Sequence, residues 1–304
     1  MIRNIVTAAD DNYALGVIAL ISSITNSTPD DILTECRFVF GFVESDLSTK
    51  NLEAIRSVGE SSGMRFETRK FVPGSGKTRR HITSTTFAKF FFLDSMQEPF
   101  LWLDCDAIVL RGWHEILSQD QRMSASQPYL VVRRPDDSHE KFNAGVFASL
   151  PGHAIADWEE RVGLHELSLE QHIFQAEMSP RSVSIRASFN VVTIWGGLNP
   201  TKPRILHFAG PLKPWHLREK VHAKCIRAEC SWAHWFAVWR GIPRQLKPRD
   251  LKQAPGIENL SNKERFLLRI LNNRVLHSPL LPSRMVMGSL FRIAGFRGET
   301  HPFH

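Results

Sequence analysis

Phe100–Leu103 is an unbroken apolar run that ends directly in a carboxylate, within the segment FLWLDCDAIVL. A strand with no polar side must be covered on both faces, which is the situation of a central strand in an α/β sheet. The chain before it repeats the pattern. Ile2–Ala8, Cys36–Val43 and Met64–Val72 read as strands, and Asp11–Ser27, Ser48–Ser62 and Thr85–Ser95 read as helices between them. This alternation predicts an α/β fold with a doubly wound, mainly parallel sheet. Farther along, Tyr129–Arg133, Gly145–Ser149 and Arg204–Phe208 read as strands, and Ser168–Met178 as a helix. Ligands of such sheets bind beyond the carboxyl ends of the strands, where the strand order reverses. Asp10 and Asp104 both fall at such ends.

Charge divides the chain into two regions. Residues 216–304 hold 16 Lys and Arg against 6 Asp and Glu, a net +10, which leaves about −3 on residues 1–215. The expectation is a catalytic domain over residues 1–216 and a basic, aromatic, helical extension over residues 217–304. Trp232, Trp235, Phe236 and Trp239 of the extension interleave with Arg240, Arg244 and Lys247. That pattern suits an anionic membrane surface or a glycolipid acceptor, and it equally suits aromatics packing as core. Apolar, basic helical stretches are expected at Arg265–Leu276 and Arg284–Phe296. The acidic body and the lack of a recognition motif argue against a nucleic-acid partner. Four scattered cysteines fit a reducing compartment better than a disulfide framework. Asp10 and Asp11 interrupt the amino terminus too early for a secretory segment, and no run of about 18 apolar residues occurs. A cytoplasmic protein, peripheral at the inner face of the membrane, is therefore expected.

Chemistry concentrates at a few places. Asp104 and Asp106 are spaced i, i+2 at the mouth of a buried strand, where their charge is costly unless something offsets it. A divalent cation would do so, and carboxylate oxygens suit Mg²⁺ or Mn²⁺. In RILHFAGPLKPWH, His207 ends a strand and can add an imidazole nitrogen to such a site. Gly210 then allows close backbone approach to a phosphate, and Lys213 supplies a point charge. In KFNAGVFASLP, Asn143 is followed by the small residues Ala144 and Gly145. In SLEQHIF, Glu170, Gln171 and His172 open a helix, where Ser168 and Gln171 also match a capping box. Two other motifs mislead. GSGKT at Gly74–Thr78 has Phe71 where a phosphate-binding loop needs glycine. His222, Cys225, Cys230 and His234 match no standard structural zinc spacing.

Taken in order, NIVTAADDNYALGVIALISSI, RHITSTTFAKF, FLWLDCDAIVL, FNAGVFASLP, LEQHIF and LHFAGPLKPW resemble the family 8 glycosyltransferases, and most of all their bacterial lipopolysaccharide galactosyltransferase and glucosyltransferase branch. The resemblance spans about residues 4–216 and implies a GT-A fold. It implies that Ala8, Asp10 and Asn12 hold the uracil and ribose of a UDP-sugar, with Cys105 against the ribose. It assigns Asp104, Asp106 and His207 to Mn²⁺, Gly210 and Lys213 to the diphosphate, and Lys89, Asn143, Ala144, Glu170 and Gln171 to the donor sugar. Lys89 stands where the family commonly has arginine, and Glu170 and His172 each replace an aspartate. All three departures lie near the sugar.

The implied activity is retaining transfer of a hexose from UDP-galactose or UDP-glucose to a glycan or glycolipid. A double displacement would need a nucleophile on the far face of the sugar. Gln171, the matching residue, has no ionisable oxygen, so front-face transfer is expected, with Gln171 and Glu170 at the reacting centre. The competing possibilities are a metal-dependent nucleotidyltransferase and a nucleotide-binding member without transferase activity. The first lacks its glycine-rich basic loop after Ile2–Ala8, and the second sits poorly with intact carboxylates, His207 and Lys213.

Overall fold

The computed structural model describes residues 1–72, 84–133, 142–164, 170–192, 202–209 and 213–216, with isolated positions between 235 and 269. GSGKT, the His222–His234 cluster, Gly210, Ser168 and nearly all of both basic helical stretches lie outside the described residues. The chain forms two compact units, Met1–Val191 with Asn199–His207, and Val192–Leu198 with Phe208–His304.

In the first unit, β1 (Asn4–Ala8) leads through a single 3₁₀ turn into α1 (Ala14–Ser27), followed by the short α2 (Asp30–Leu33). Then come β2 (Arg37–Phe42), α3 (Thr49–Glu60), β3 (Arg65–Lys70), α4 (Ala88–Ser95), β4 (Phe100–Leu103) and β5 (Ala107–Val109). The remaining elements are β6 (Tyr129–Arg133), β7 (Phe142–Ser149), α5 (Trp158–Leu164), α6 (Glu170–Met178), β8 (Ser182–Ile185), β9 (Val191–Val192) and β10 (Ile205–His207).

The main sheet has the order β3-β2-β1-β4-β7-β6-β8. β3, β2, β1 and β4 run parallel, as do β6 and β8, while β7 is antiparallel to both β4 and β6. The mainly parallel α/β sheet expected from the apolar runs is therefore present, with one reversed strand that the sequence did not reveal. The reason for the apolar runs is visible in the burial. Every residue of β1 and of β4 is buried. The edge strand β3 instead carries RFETRK, whose charges discourage further pairing. The strand order reverses between β1 and β4, so their carboxyl ends form the switch point of the sheet.

Three packing features position this rim. α1 is buried on most of its surface because it lies against both α3 and β5. Its buried Ser23 donates to Leu20 O (2.8 Å) and accepts from Val109 N (3.0 Å), so a polar group in an apolar helix ties down β5. α4 seats Phe90 and Phe92 in the core, where Phe90 meets Trp158 at 4.5 Å in parallel and Phe174 of α6 at 4.8 Å. The close seating of α4 on the sheet depends on Gly41, because a Cβ there would lie 2.6 Å from the fully buried Phe92 ring.

In the second unit, Trp235 meets Phe208, Trp215 and Trp239 with ring centroids 5.9, 5.1 and 6.4 Å apart. Trp235 and Trp239 are buried there, so of the two alternatives weighed for the extension's aromatics these two act as core. Trp232 and Phe236 lie outside the described residues. No helix among the described residues is long and apolar enough to cross a membrane.

The Gly41 contact makes a direct prediction. Gly41→Ala should lower stability in urea unfolding by about 1–3 kcal/mol through overpacking. The gain from a stiffer unfolded chain, about 0.4–1 kcal/mol, is too small to offset this.

Candidate active site

β4 ends at Leu103, and the chain turns at once, with Ala107 N bonded to Asp104 O at 2.9 Å. Asp104 and Asp106 project from this turn. β5 then pairs antiparallel with β10 in the register His207↔Ala107, which brings His207 beside Asp106 across a separation of about a hundred residues. His207 Nε2 lies 3.1 Å from Asp106 Oδ1 and 3.6 Å from Asp104 Oδ2. One potential ligand atom from each of these residues lies within 4.8 Å of the others. His207 and Asp106 are buried, whereas the Asp104 side chain is 25% exposed and gives the cluster its opening.

The ring of His207 fits because residue 145 is glycine. A Cβ on Gly145 would stand 2.1 Å from His207 Cε1 and 2.5 Å from Nδ1. Nδ1 is buried with no hydrogen-bond partner among the described residues, so Nε2 is the nitrogen turned toward the carboxylates. Asn143 completes the wall. Its Oδ1 accepts from Gly145 N (2.9 Å) and from Asn190 Nδ2 (3.3 Å), and Asn190 Nδ2 also donates to Asn143 O at 3.1 Å.

Lys89, buried on α4, stands 3.1 Å from Asp104 Oδ1 and 3.4 Å from Glu170 Oε1. Burial pulls its ammonium toward neutrality, but the carboxylates of Asp104 and Glu170 outweigh this and push its pKa up to about 12. Asp104, Asp106 and Glu170 against Lys89 leave two negative charges within this cluster. Two carboxylates and an imidazole nitrogen with this excess charge form a donor set suited to a divalent cation. Trp102 Nε1 also donates to Asp104 Oδ1 at 2.7 Å.

Most of the other residues expected from the sequence are described as well. Asp10 caps the 3₁₀ turn after β1, accepting from Asn12 N at 2.9 Å, and Ala8 is buried at the end of the strand. Cys105, half-buried, lies between the two aspartates. Gln171 uses both ends of its amide on β7, where Oε1 accepts from Ala144 N (2.9 Å) and Nε2 donates to Phe142 O (2.7 Å). It thus fastens α6 to the strand carrying Asn143 and Ala144. His172, on the same helix, is exposed. Lys213 belongs to the second unit, where it is buried and its Nζ donates to Phe208 O at 2.9 Å.

Tyr13 went unnoticed in the sequence. Burial raises its phenol pKa well above the usual value, and the acidic groups of Asp106, Cys105, Asp10 and Asp104 add to the effect. It therefore stands among the residues of the rim. Its place beside Asp10 in TAADDNYA was the signal that could have found it.

The sequence and the fold are similar to those of known proteins. Residues 4–148 match glycosyl transferase family 8. A probable glycosyl transferase Gly of Streptococcus gordonii is 25% identical over 202 residues, covering 59% of this chain. The match spans 28% of that protein's length. Among solved structures, the galactosyltransferase LgtC, in complex with donor and acceptor sugar analogues, has a TM-score of 0.60 at 19% identity, over 80% of this chain and 98% of LgtC. The apo structure of the bifunctional glycosyltransferase WbbM has a TM-score of 0.59 at 16% identity, over 83% of this chain and 51% of WbbM. GlyE of Streptococcus pneumoniae TIGR4 has a TM-score of 0.56 at 18% identity, over 78% of this chain and 60% of GlyE.

Two variants test the cluster. Gly145→Ala should displace the His207 ring and weaken divalent-cation binding at the cluster about tenfold or more, read with Mn²⁺ as the probe by the electron paramagnetic resonance signal of the free ion. Lys89→Met should cost about 3 kcal/mol in denaturant unfolding at neutral pH, because two carboxylates lose their buried partner. The Lys89 pKa is raised on folding, so its stabilisation is complete below about pH 10.5 and is lost as pH rises through about 12. The gap between wild type and Lys89→Met should therefore be constant from pH 7 to 10 and shrink above that range.

Over residues 4–148 the chain is thus similar in sequence to glycosyl transferase family 8, its fold is that of LgtC, and Asp104, Asp106 and His207 form a cluster that could hold a metal ion.

Proposed function

We propose that this protein transfers a hexose from UDP-galactose or UDP-glucose to a glycan or glycolipid acceptor, with retention of anomeric configuration and dependence on Mn²⁺. The observation that carries the proposal is the Asp104–Asp106–His207 cluster at the switch point, with Lys89 and Glu170 immediately beside it. LgtC, of the same fold, has been solved with donor and acceptor sugar analogues.

In this scheme Ala8, Asp10 and Asn12 hold the nucleoside, with Cys105 against the ribose and the Tyr13 ring as an apolar wall. Gly210 and Lys213 take the diphosphate. Lys89, Asn143, Ala144, Glu170 and Gln171 surround the donor sugar. A divalent cation held by Asp104, Asp106 and His207 would neutralise charge that develops on the departing diphosphate. Gln171 cannot serve as a nucleophile, because an amide has no ionisable oxygen and its Oε1 already accepts from Ala144 N. Its part is to hold the β7 backbone against α6, so that Asn143 and Ala144 face the sugar in one fixed arrangement. Glu170, paired with Lys89, accepts from a donor hydroxyl in this scheme. The acceptor attacks on the face from which UDP departs, and a phosphate oxygen of the leaving group takes its proton. The chain's contribution is then positioning and electrostatic stabilisation. The basic residues of 217–304 are proposed to meet an anionic membrane surface or acceptor, without Trp235 and Trp239, which are buried.

The test is hydrolysis of a panel of UDP-sugars with and without Mn²⁺, where water replaces the acceptor. Expected is Mn²⁺-dependent release of UDP from UDP-galactose or UDP-glucose, abolished in Asp104→Ala and in Asp106→Ala. Substantial turnover in either variant would exclude the metal assignment. Release of a nucleoside monophosphate in place of UDP would indicate nucleotidyl transfer.

A further inference from the structure

Asp104 is the most solvated member of the metal cluster, and its carboxylate is nevertheless constrained from behind. Its side chain is 25% exposed, against 9% for Asp106 and 3% for His207. A surface carboxylate on a turn ordinarily rotates among several orientations. Here Trp102 Nε1 donates to Oδ1 at 2.7 Å, and Lys89 Nζ lies 3.1 Å from the same oxygen. Lys89 Nζ also reaches Oδ2, at 3.4 Å, so the indole N–H alone distinguishes the two oxygens, and Oδ2 is the one nearer His207 Nε2, at 3.6 Å.

The indole is well placed for this role. Trp102 and Asp104 are two residues apart, so along the direction of β4 their side chains leave on the same face. Trp102 is 2% exposed. Its ring lies parallel to Phe147 of β7 (6.2 Å between centroids, 15°) and tilted against Phe92 of α4 (6.0 Å). Lys89 Nζ stands 5.8 Å from its centroid. A side chain held between two elements has no freedom to swing its N–H away. The fixed object is therefore the core indole, and the Asp104 carboxylate takes its orientation from it. A ring of the same shape without an N–H would fill this space equally well, which separates the hydrogen bond from the packing.

We infer that Trp102 is a positioning residue of the metal site: its indole N–H holds Oδ1 of Asp104 so that Oδ2 is presented with Asp106 and His207 to a divalent cation. This rests on the metal assignment proposed above. Groups behind a ligand that fix its orientation commonly change metal affinity about 10- to 100-fold when removed.

The experiment titrates Mn²⁺ alone, followed by the electron paramagnetic resonance signal of the free ion, into wild type, Trp102→Phe and Phe147→Leu. Trp102→Phe keeps an aromatic ring in the core and loses the donor. Phe147→Leu disturbs the same packing and keeps the donor. Expected is about 10- to 100-fold weaker Mn²⁺ binding in Trp102→Phe, with wild-type affinity in Phe147→Leu although both unfold at lower denaturant. Equal affinity in Trp102→Phe and wild type overturns the inference while leaving the metal assignment intact. An equal loss in Phe147→Leu also overturns it, because packing would then be the cause. Absence of Mn²⁺ binding by the wild type overturns both. Should Trp102→Phe not fold, the indole ¹⁵N–¹H resonance of Trp102 in the wild type answers the same question. It should shift on titration with diamagnetic Mg²⁺, and a resonance that stays in place overturns the inference.

Discussion

The pairing of β10 with β5 carries the site. Asp104 and Asp106 are two residues apart and belong to one turn, but neither can gather a third ligand from its own neighbourhood. The ladder His207↔Ala107, Leu206↔Ile108, Ile205↔Val109 brings that ligand in from a segment distant in sequence. A slip of one residue would turn His207 to the opposite face of β10. The register is secured elsewhere, by burial of Ile205 and Leu206, by Leu110 N bonded to Arg204 O at 2.7 Å, and by Ser23 of α1 capping Val109 N. Gly112 adds a further constraint. It occupies a left-handed conformation at φ +82°, and a Cβ there would overlap the Arg204 guanidinium. Arg204 uses that space to reach Arg111 O (3.1 Å) and Glu115 (2.8 Å), so the entry to β10 is fixed by the loop that follows β5.

Burial of charge explains why this rim has the composition it has. Asp106 and Lys89 are both nearly inaccessible, and ions removed from water are costly unless partners replace the lost hydration. Lys89 offsets one of the two carboxylates beside it, Asp104 and Glu170, and Asp106 adds a second uncompensated charge nearby. The fold accepts that excess at the carboxyl end of an apolar strand, where a divalent cation would balance it.

Much of this was legible before any coordinates. The apolar runs identified the sheet because parallel central strands have no wet face, and the burial of β1 and β4 is the physical counterpart of NIVTA and FLWL. The carboxylate pair and His207 were legible from residue type and place. The reversed direction of β7 was not, because FNAGVFAS has the same apolar character whichever way it runs. β5 was hidden in the apolar residues after Asp106, and β8, with SVSI, is too short to show alternation. The double engagement of Gln171 with β7 was obscured by a competing capping motif. Trp102 was hidden by its own suitability for the core. A tryptophan in an apolar run reads as packing, yet its spacing of two from Asp104 already placed the indole on the face of the carboxylate.

The departures from the family pattern acquire a physical meaning from Lys89. An arginine has a planar fork that pairs with one carboxylate through two parallel bonds. A lysine is a compact point charge with donors in several directions, and here it divides itself between Asp104 at 3.1 Å and Glu170 at 3.4 Å. Glu170 is the longer relative of the aspartate common in the family, and the longer arm suits a cation set back on a lysine stem. The two replacements compensate each other in length. They also join two parts of the rim through one ammonium, since a shift of Glu170 changes the charge felt by Asp104. The Glu170 side and the Asp104 side of the rim are thereby electrostatically coupled, and a substitution at either acid must be read for its effect on both.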